Sequence, residues 1–235
     1  MIASFKAIFF DAGGTLLHPF PSVGEIYQKV GAKYGCRAKA DQLEKSFHEV
    51  CLRKDGLTSL ASHSSEKVER DWWHHLVAEV FSGGAAVQDF ETFFEELYDV
   101  FARPESWRLY PGVPEVLREL KKRGKRVGIV SNWDSRLFKL CEGLGLEKYV
   151  DFVLASAVFG ASKPSPRIFE EALRQSRVLP EEAIHVGDSI EDDVNGALGA
   201  GLKAILIDRT HGGRSTPSVP TIRDLKELIA DIIPY

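Results

Sequence analysis

Cysteine is scarce in this chain. Its 235 residues include 3 cysteines, Cys36, Cys51 and Cys141, widely spaced and without a C-x-x-C pair. An odd, scattered set cannot frame a disulfide scaffold and reads as reduced thiols in a cytoplasmic protein. A basic excess is also missing. Lys plus Arg total 30 against 34 Asp plus Glu, a net charge of −4, which argues against a general nucleic-acid binder. No stretch approaches the roughly 18 apolar residues of a membrane span, so no membrane partner is expected. The opening run MIASFKAIFF carries Lys6 and leads straight into Asp11. It has neither the basic start, the apolar length nor the cleavage site of a secretory signal. Internal repeats and low-complexity tracts are absent too. What is there, 44% hydrophobic and 27% charged, has the makeup of a soluble globular protein. A chain of this length buries a core without disulfides.

Five short apolar runs predict buried strands at 5–10, 126–130, 152–155, 183–186 and 203–207, each rich in Val, Ile or Phe and followed by turn residues. Helical spacing alternates with the last four. Val113, Val116, Leu117 and Leu120 make one stripe, and Leu137, Leu140, Cys141 and Leu144 another, at i, i+3, i+4 and i+7. Strand alternating with helix predicts an α/β fold with a parallel sheet covered on both faces. Ile222, Leu225, Leu228, Ile229 and Ile232 predict a last amphipathic helix, after an exposed connector GGRSTPSVP at 212–220.

Residues 18–105 differ in kind. They show no strand pattern and at least four helical stripes. Trp73, Leu76, Val77, Val80 and Phe81 hold one seam, while Phe90, Phe93, Phe94, Leu97, Tyr98 and Phe101 hold another. Leu43, Phe47, Val50 and Cys51 form a third, with a shorter one around Ile26 and Val30. Such stripes are what an antiparallel helical bundle requires.

The chemistry-bearing residues sit where predicted strands end, which is where active sites of open parallel sheets form. The first strand ends in Asp11, inside FFDAGGTLL. The second junction carries Ser131 and Asn132. Lys163 follows in SKPSPRIF, and HVGDSIEDD holds Asp188, Asp192 and Asp193. Asp11 can act as a nucleophile, Ser131 and Asn132 can donate to an anion, and Lys163 can neutralise it. Asp11, Asp188 and Asp193 together make a hard oxygen site suited to Mg²⁺. These are the parts of phosphoryl transfer, in which positioning and charge neutralisation dominate.

The blocks DAGGTL, SN after a strand, KP with a following P-x-I-F, and GDS-x-x-x-D together resemble the haloacid dehalogenase (HAD) superfamily. The resemblance spans about 5–17 and 110–208. More narrowly, RLYPGV, SNWDSRL and HVGDSIEDD are similar to its branch named for rhythmically expressed gene 2. The resemblance implies a Rossmann-like parallel-sheet core at 1–17 and 106–235, with a helical C1-type cap inserted at 18–105. It implies an aspartyl-phosphate on Asp11, with Ser131 and Lys163 holding phosphate. It also implies Mg²⁺ on Asp11, the Gly13 carbonyl, Asp188 and, directly or through water, Asp193. Asn132, Gly14 and Thr15 would face a small phosphorylated substrate, although Thr15 also reads as a cap on the turn after the first strand. Motif spacing agrees with an insertion. Asp11 and Ser131 stand 120 residues apart, whereas one βα unit takes about 30.

One element of the pattern is missing. Phosphatases of the superfamily carry a second Asp two residues after the nucleophile, as general acid/base, and here that position is Gly13. Such catalysis is worth about 10²–10⁴ in rate. Three readings follow: a phosphatase that is weak or restricted to good leaving groups, a binding protein that barely turns over, and a dehalogenase, whose halide leaves without a proton. Against the last stands the acidic cluster, which a metal needs and dehalogenation does not.

Plainer roles account for several neighbours. Asp134 sits where it caps a helix or, less simply, stands in for the missing acid. His185 reads as a core histidine and Asp192 as a first-turn charge. Trp73 belongs to the apolar seam, which leaves Trp72 freer to face a cleft. Neighbouring His74 and His75 point in different directions. Arg53 and Lys54, beside the segment 55–60, read as solvated, and GALGAG at 196–201 as close packing and a helix end.

Overall fold

Four consecutive residues with no exposed side chain, Ala7–Phe10, form the central strand β1. The structure is a computed structural model and describes residues 2–54, 64–209 and 219–230. The other strands are β2 Leu17–Pro19, β3 Trp107–Leu109, β4 Arg126–Ser131, β5 Phe152–Ala155, β6 Ala183–Gly187, β7 Lys203–Ile207 and β8 Thr221–Ile222. Six of them make one parallel sheet in the order β5-β4-β1-β6-β7-β8. In register, Phe10 lies between Ile129 and Val186, so β4, β1 and β6 end side by side.

The helices are α1 Val23–Gly31, α2 Ala40–Arg53, α3 Glu66–Val80, α4 Phe90–Phe101, α5 Val113–Lys122, α6 Arg136–Gly143, α7 Ser156–Phe159, α8 Pro166–Ser176, α9 Gly196–Gly199 and α10 Lys226–Ile229. Side chains of β1 alternate between the two faces. Ile8 and Phe10 pack with Leu117 and Leu120 of α5 and Leu137 and Leu140 of α6. Ala7 and Phe9 pack with Ile168 and Phe169 of α8 and Ala197 of α9. A strand covered on both sides reads as a continuous apolar run, which is why these strands were legible.

The C-terminal region departs from expectation. Ile222 does not begin a helix; it pairs with Ile207 in edge strand β8, and its carbonyl accepts from Asp208 N at 2.8 Å. The helix starts only at Lys226, after Arg223 N and Asp224 N donate to Glu227 Oε1. The three-residue spacing of Ile222, Leu225 and Leu228 therefore spans a strand, a turn and a helix. Likewise α6 stops at Gly143 and leaves Leu144 as its cap. The first strand starts at Ala7 because Ile2–Ser4 forms a 3₁₀ turn. Ile232, most of the 212–220 connector and the 55–60 segment lie outside the described residues.

Helices α1–α4 gather around their own core, in which Leu43, Leu76, Phe93 and Leu97 are buried. The two-stranded antiparallel pair β2–β3, not expected from sequence, pairs Leu17 with Leu109 and Pro19 with Trp107 where the chain leaves and rejoins the sheet. Several seam residues are only half buried, among them Phe47, Trp73, Tyr98 and Phe101. No helix among the described residues is long and apolar enough to cross a membrane.

Helices α1 and α2 approach so closely that a Cβ at Gly24 would lie 2.1 Å from the Ala40 carbonyl oxygen and 2.9 Å from Glu44 N. Helix propensity favours Ala over Gly by about 1 kcal/mol, but this clash is with backbone, which cannot rotate away. Gly24→Ala should therefore destabilise the protein by about 1–3 kcal/mol, as overpacking does. Urea unfolding measures it, and a stabilised variant would contradict the close approach.

Candidate active site

The carboxyl ends of three adjacent strands bring four distant segments together. Asp11 follows β1, Ser131 ends β4, and Asp188 follows β6. Lys163 lies in the loop ahead of α8 and is 1% exposed. Its Nζ donates to Asp11 Oδ1 at 2.6 Å and to Asp193 Oδ1 at 2.6 Å. Ser131 Oγ donates to the same Asp11 oxygen at 2.9 Å.

Asp193 arrives by an unusual winding. Residues Ile190–Asn195 form a π-helical turn, in which Val194 N donates to Ser189 O across five residues. The wider turn buries Asp193 and leaves Asp192 half exposed. Asp192 N donates to Ser189 Oγ at 3.1 Å, a capping contact. Such π turns are frequent at functional sites. Asp193 Oδ2 accepts from Ser189 N at 3.0 Å, and the His185 ring meets Oδ1 through Nε2 at 2.9 Å. Burial lowers the pKa of His185, so the ring is neutral at pH 7 and donates from Nε2. His185 is the hydrogen-bonded core histidine that its strand position implies.

Charge in this cluster is unbalanced. Asp11, Asp188 and Asp193 each offer an oxygen, all within 4.8 Å of one another, against one ammonium. Burial raises the Asp11 carboxyl above its ordinary range, with Lys163 opposing. Burial and the charges of Asp11 and Asp193 push Asp188 up to about 8. Burial would also raise Asp193, but the Lys163 charge and the His185 contact hold it below the usual range. Burial disfavours the Lys163 ammonium, yet its two carboxylates raise its pKa above the ordinary lysine value. Three hard oxygens with charge to spare fit a small divalent cation such as Mg²⁺.

Asn132 and Gly14 line the cleft, and each also has a backbone partner. The Asn132 side chain, read as an anion donor, clamps the Lys163 backbone. Oδ1 accepts from Lys163 N at 2.7 Å, and Nδ2 donates to Lys163 O at 2.9 Å. Gly14, expected to face substrate, donates its N–H to Leu17 O at 2.9 Å. Its φ of +74° and the Asp188 carboxylate, 2.3 Å from where a Cβ would sit, explain the glycine. Thr15 is fully buried with no partner for Oγ1 among the described residues. Its carbonyl accepts from Arg209 Nη2 at 2.8 Å.

Asp134 does not stand in for the missing acid. Arg136 pairs with it at 2.7 Å, its Oδ1 accepts from Arg136 N, and Tyr98 Oη donates to Oδ2 at 2.8 Å. The ring of Trp133, missed in sequence, lies beside Gly13, with Cζ3 3.3 Å from where a Cβ would be. Trp73, not Trp72, lines the cleft over Asp11. The two indoles meet edge to face, 4.8 Å apart, and both pack against the α1–α4 core.

Away from the strand ends, Glu69 of α3 accepts from Ser156 of α7, a buried tie between the helical unit and the sheet unit that no sequence signal marked. His74 contacts Glu91, while His75 contacts the Asp71 carbonyl, so they form no metal pair. Arg53 and Lys54 pair with Glu79.

Lys163→Met strands two buried carboxylates. The expected loss is about 3–5 kcal/mol at neutral pH, read from urea unfolding. Because Asp193 is held low in the folded state, its contribution is complete above the ordinary aspartate value of about 3.9. It fades as pH falls through that value toward the lower folded one. The gap between native and variant should therefore narrow in acid; a pH-independent gap would contradict the pairing.

Comparison with known proteins gives the family. The family model described as haloacid dehalogenase-like hydrolase matches residues 5–201. Haloacid dehalogenase-like hydrolase domain-containing protein 3 of Homo sapiens is 34% identical over 205 residues, covering 86% of this chain and 81% of that protein. Rhythmically expressed gene 2 protein of Drosophila melanogaster is 29% identical, covering 88% and 84%. Among solved structures, a HAD phosphatase from Thermococcus onnurineus is 28% identical with a TM-score of 0.68 over 96% of both chains. A dehalogenase shares the fold at 23% identity and a TM-score of 0.75 over 99% of both chains. The matched stretch contains Asp11, Ser131, Lys163, Asp188 and Asp193 alike, and the chain belongs to the haloacid dehalogenase-like hydrolases.

Proposed function

We propose that this hydrolase is an Mg²⁺-dependent phosphatase of small phosphorylated molecules, with Asp11 as nucleophile. One observation carries the reading: the Asp11–Asp188–Asp193 carboxylates converge beside a single buried ammonium. Ser131 and Lys163 both bind Oδ1 of Asp11, which leaves Oδ2 for attack on phosphorus. Asp11 and Asp188 would hold the ion with the Gly13 carbonyl. Both oxygens of Asp193 already accept hydrogen bonds, which supports a role for it through water. When bound, Mg²⁺ supplies charge neutralisation at the phosphate. Ser131 and Lys163 orient the anion, and the helical unit serves as a cap that excludes water. The unpaired Cys36, Cys51 and Cys141 support a cytoplasmic setting.

Gly13 bears on rate. With no carboxyl there, with Asp134 committed to Arg136 and Tyr98, and with Asp188 assigned to the ion, no further carboxyl among the described residues is placed at position 13 to protonate an alkoxide leaving group. Substrates whose leaving group departs unprotonated are favoured. The same observation favours, second, a phospho-ligand binding protein with little turnover.

Acetyl phosphate needs no acid to lose acetate and is the direct test. Phosphate release should require Mg²⁺ and fall to background in Asp11→Asn. Metal-independent halide release from a 2-haloacid would instead establish a dehalogenase, and neither activity would favour binding.

An acid restored at position 13 meets the Trp133 ring. Gly13→Asp with Trp133→Ala should raise turnover of an alkyl phosphate by about 10²-fold or more, and Gly13→Asp alone by less. No gain in a folded double variant would mean that another group already transfers the proton.

A further inference from the structure

The cleft above Asp11 holds about 640 Å³, within the usual range for a small-molecule site. Its floor is polar, with Asp11, Ser131 and Asp188. Its walls are rings: Phe47, Trp73, Phe94 and Tyr98 from the helical unit, and Trp107 and Trp133 from the sheet side. The last two meet at 5.0 Å and 58°, forming an indole corner next to Gly13.

Cations in these walls are already matched. Among the described lining residues, Arg136 is paired with Asp134 and lies 3.5 Å from the Tyr98 ring centroid. His48 pairs with Glu44 at 3.2 Å, and that carboxylate also accepts from Gly24 N. His18 contacts the Pro19 carbonyl at 2.9 Å and packs on Tyr110. A second phosphate or a carboxylate on the substrate would find no unpaired cation there. Sugar hydroxyls would meet mostly carbon.

A second, independent observation concerns the leaving group. Without an acid at position 13, and with Asp188 holding the ion in the phosphatase reading, the leaving oxygen departs as an anion. A phenol oxygen, with a pKa of about 10, does so far more readily than an alcohol. Both observations specify the same half of the substrate.

Resting on the phosphatase reading, we infer that the substrate is an aryl monophosphate: one phosphate bonded through oxygen to a flat aromatic group. The ring lies against Trp107 and Trp133 while the phosphate reaches Asp11, Ser131 and Lys163. An Asp11 carboxylate oxygen bonds to phosphorus as the bond from phosphorus to the aryl oxygen breaks. The electron pair stays on the phenolate, which takes a proton from solvent after release. Water then cleaves the acyl phosphate, returning Asp11 and inorganic phosphate. Ring faces stack offset or edge on, and the burial of an added ring is what the walls reward.

The test compares 2-naphthyl, phenyl, propyl and glycerol phosphates with acetyl phosphate, on the native chain with Mg²⁺. Naphthol and phenol are similarly acidic, so their ratio reads the cleft and not the leaving group. The kcat/KM for 2-naphthyl phosphate should exceed that for phenyl phosphate about tenfold or more, from the extra apolar surface buried. In Trp133→Leu the ratio should fall toward one. A native ratio near one, or a preference for glycerol phosphate, would overturn the aryl class while leaving the phosphatase reading intact. Release from none of the five, acetyl phosphate included, would sink the phosphatase reading itself. Calorimetry on Asp11→Asn then separates the two. Saturable binding of 2-naphthyl but not glycerol phosphate supports a ring-selective cleft without turnover, and binding of neither overturns both.

Discussion

A single buried ammonium, that of Lys163, is the constraint on which the arrangement at the strand ends depends. An unpaired charge at that depth would cost several kcal/mol. It is tolerated because Asp11 and Asp193 lie within 2.6 Å and because Asn132 fixes the backbone that carries it. Those contacts span residues 11, 132, 163 and 193, so no one of these segments can move without unpairing the others. His185 completes the set as a neutral donor to Asp193, which leaves that carboxylate available to the lysine without adding a second cation.

The cleft divides its labour by polarity. The carboxylate cluster lies at the floor, where strand ends deliver it, the charges in the walls are paired, and the wall rings of the helical unit belong to the α1–α4 core or pack against it. Gly13 joins the two halves physically. A Cβ there would lie 3.3 Å from Trp133 Cζ3, so a side chain at this position would press on the aromatic wall. In the aryl monophosphate reading, such a site binds mainly through ring contact and lets the departing group, more than the protein, bear the developing charge.

Legibility followed the range of the interaction. The sheet strands were readable from five apolar runs because burial on both faces leaves no polar alternation to confuse the pattern. Strand β8 was not, because two residues between Pro220 and Arg223 carry no period, and the spacing of Ile222 to Leu228 imitates a helix. The motif residues Asp11, Ser131, Lys163 and Asp188 were legible as a set, since each follows a strand or opens a helix. The neighbours were harder. Asn132 and Thr15 look like anion donors in sequence; one is also tied to the Lys163 backbone and the other is buried. Trp72 and Trp73 differ by one position on a helix, and only the packing of α3 against its neighbours tells which faces the cleft.

By itself the sequence determined the α/β order, the helical run that follows the first strand, and the four strand-end blocks. These are local properties, set by hydrophobic period, turn chemistry and spacing. Only tertiary structure decided which of Asp192 and Asp193 meets Lys163, because that choice depends on a π-helical turn whose extra residue leaves no mark in composition. It also decided that Asp134 belongs to Arg136 and Tyr98, and that Trp133 lies where an acid would otherwise project. Each of these is a contact between residues distant in the chain or turned by a backbone irregularity, and a pattern read along the sequence carries no term for either.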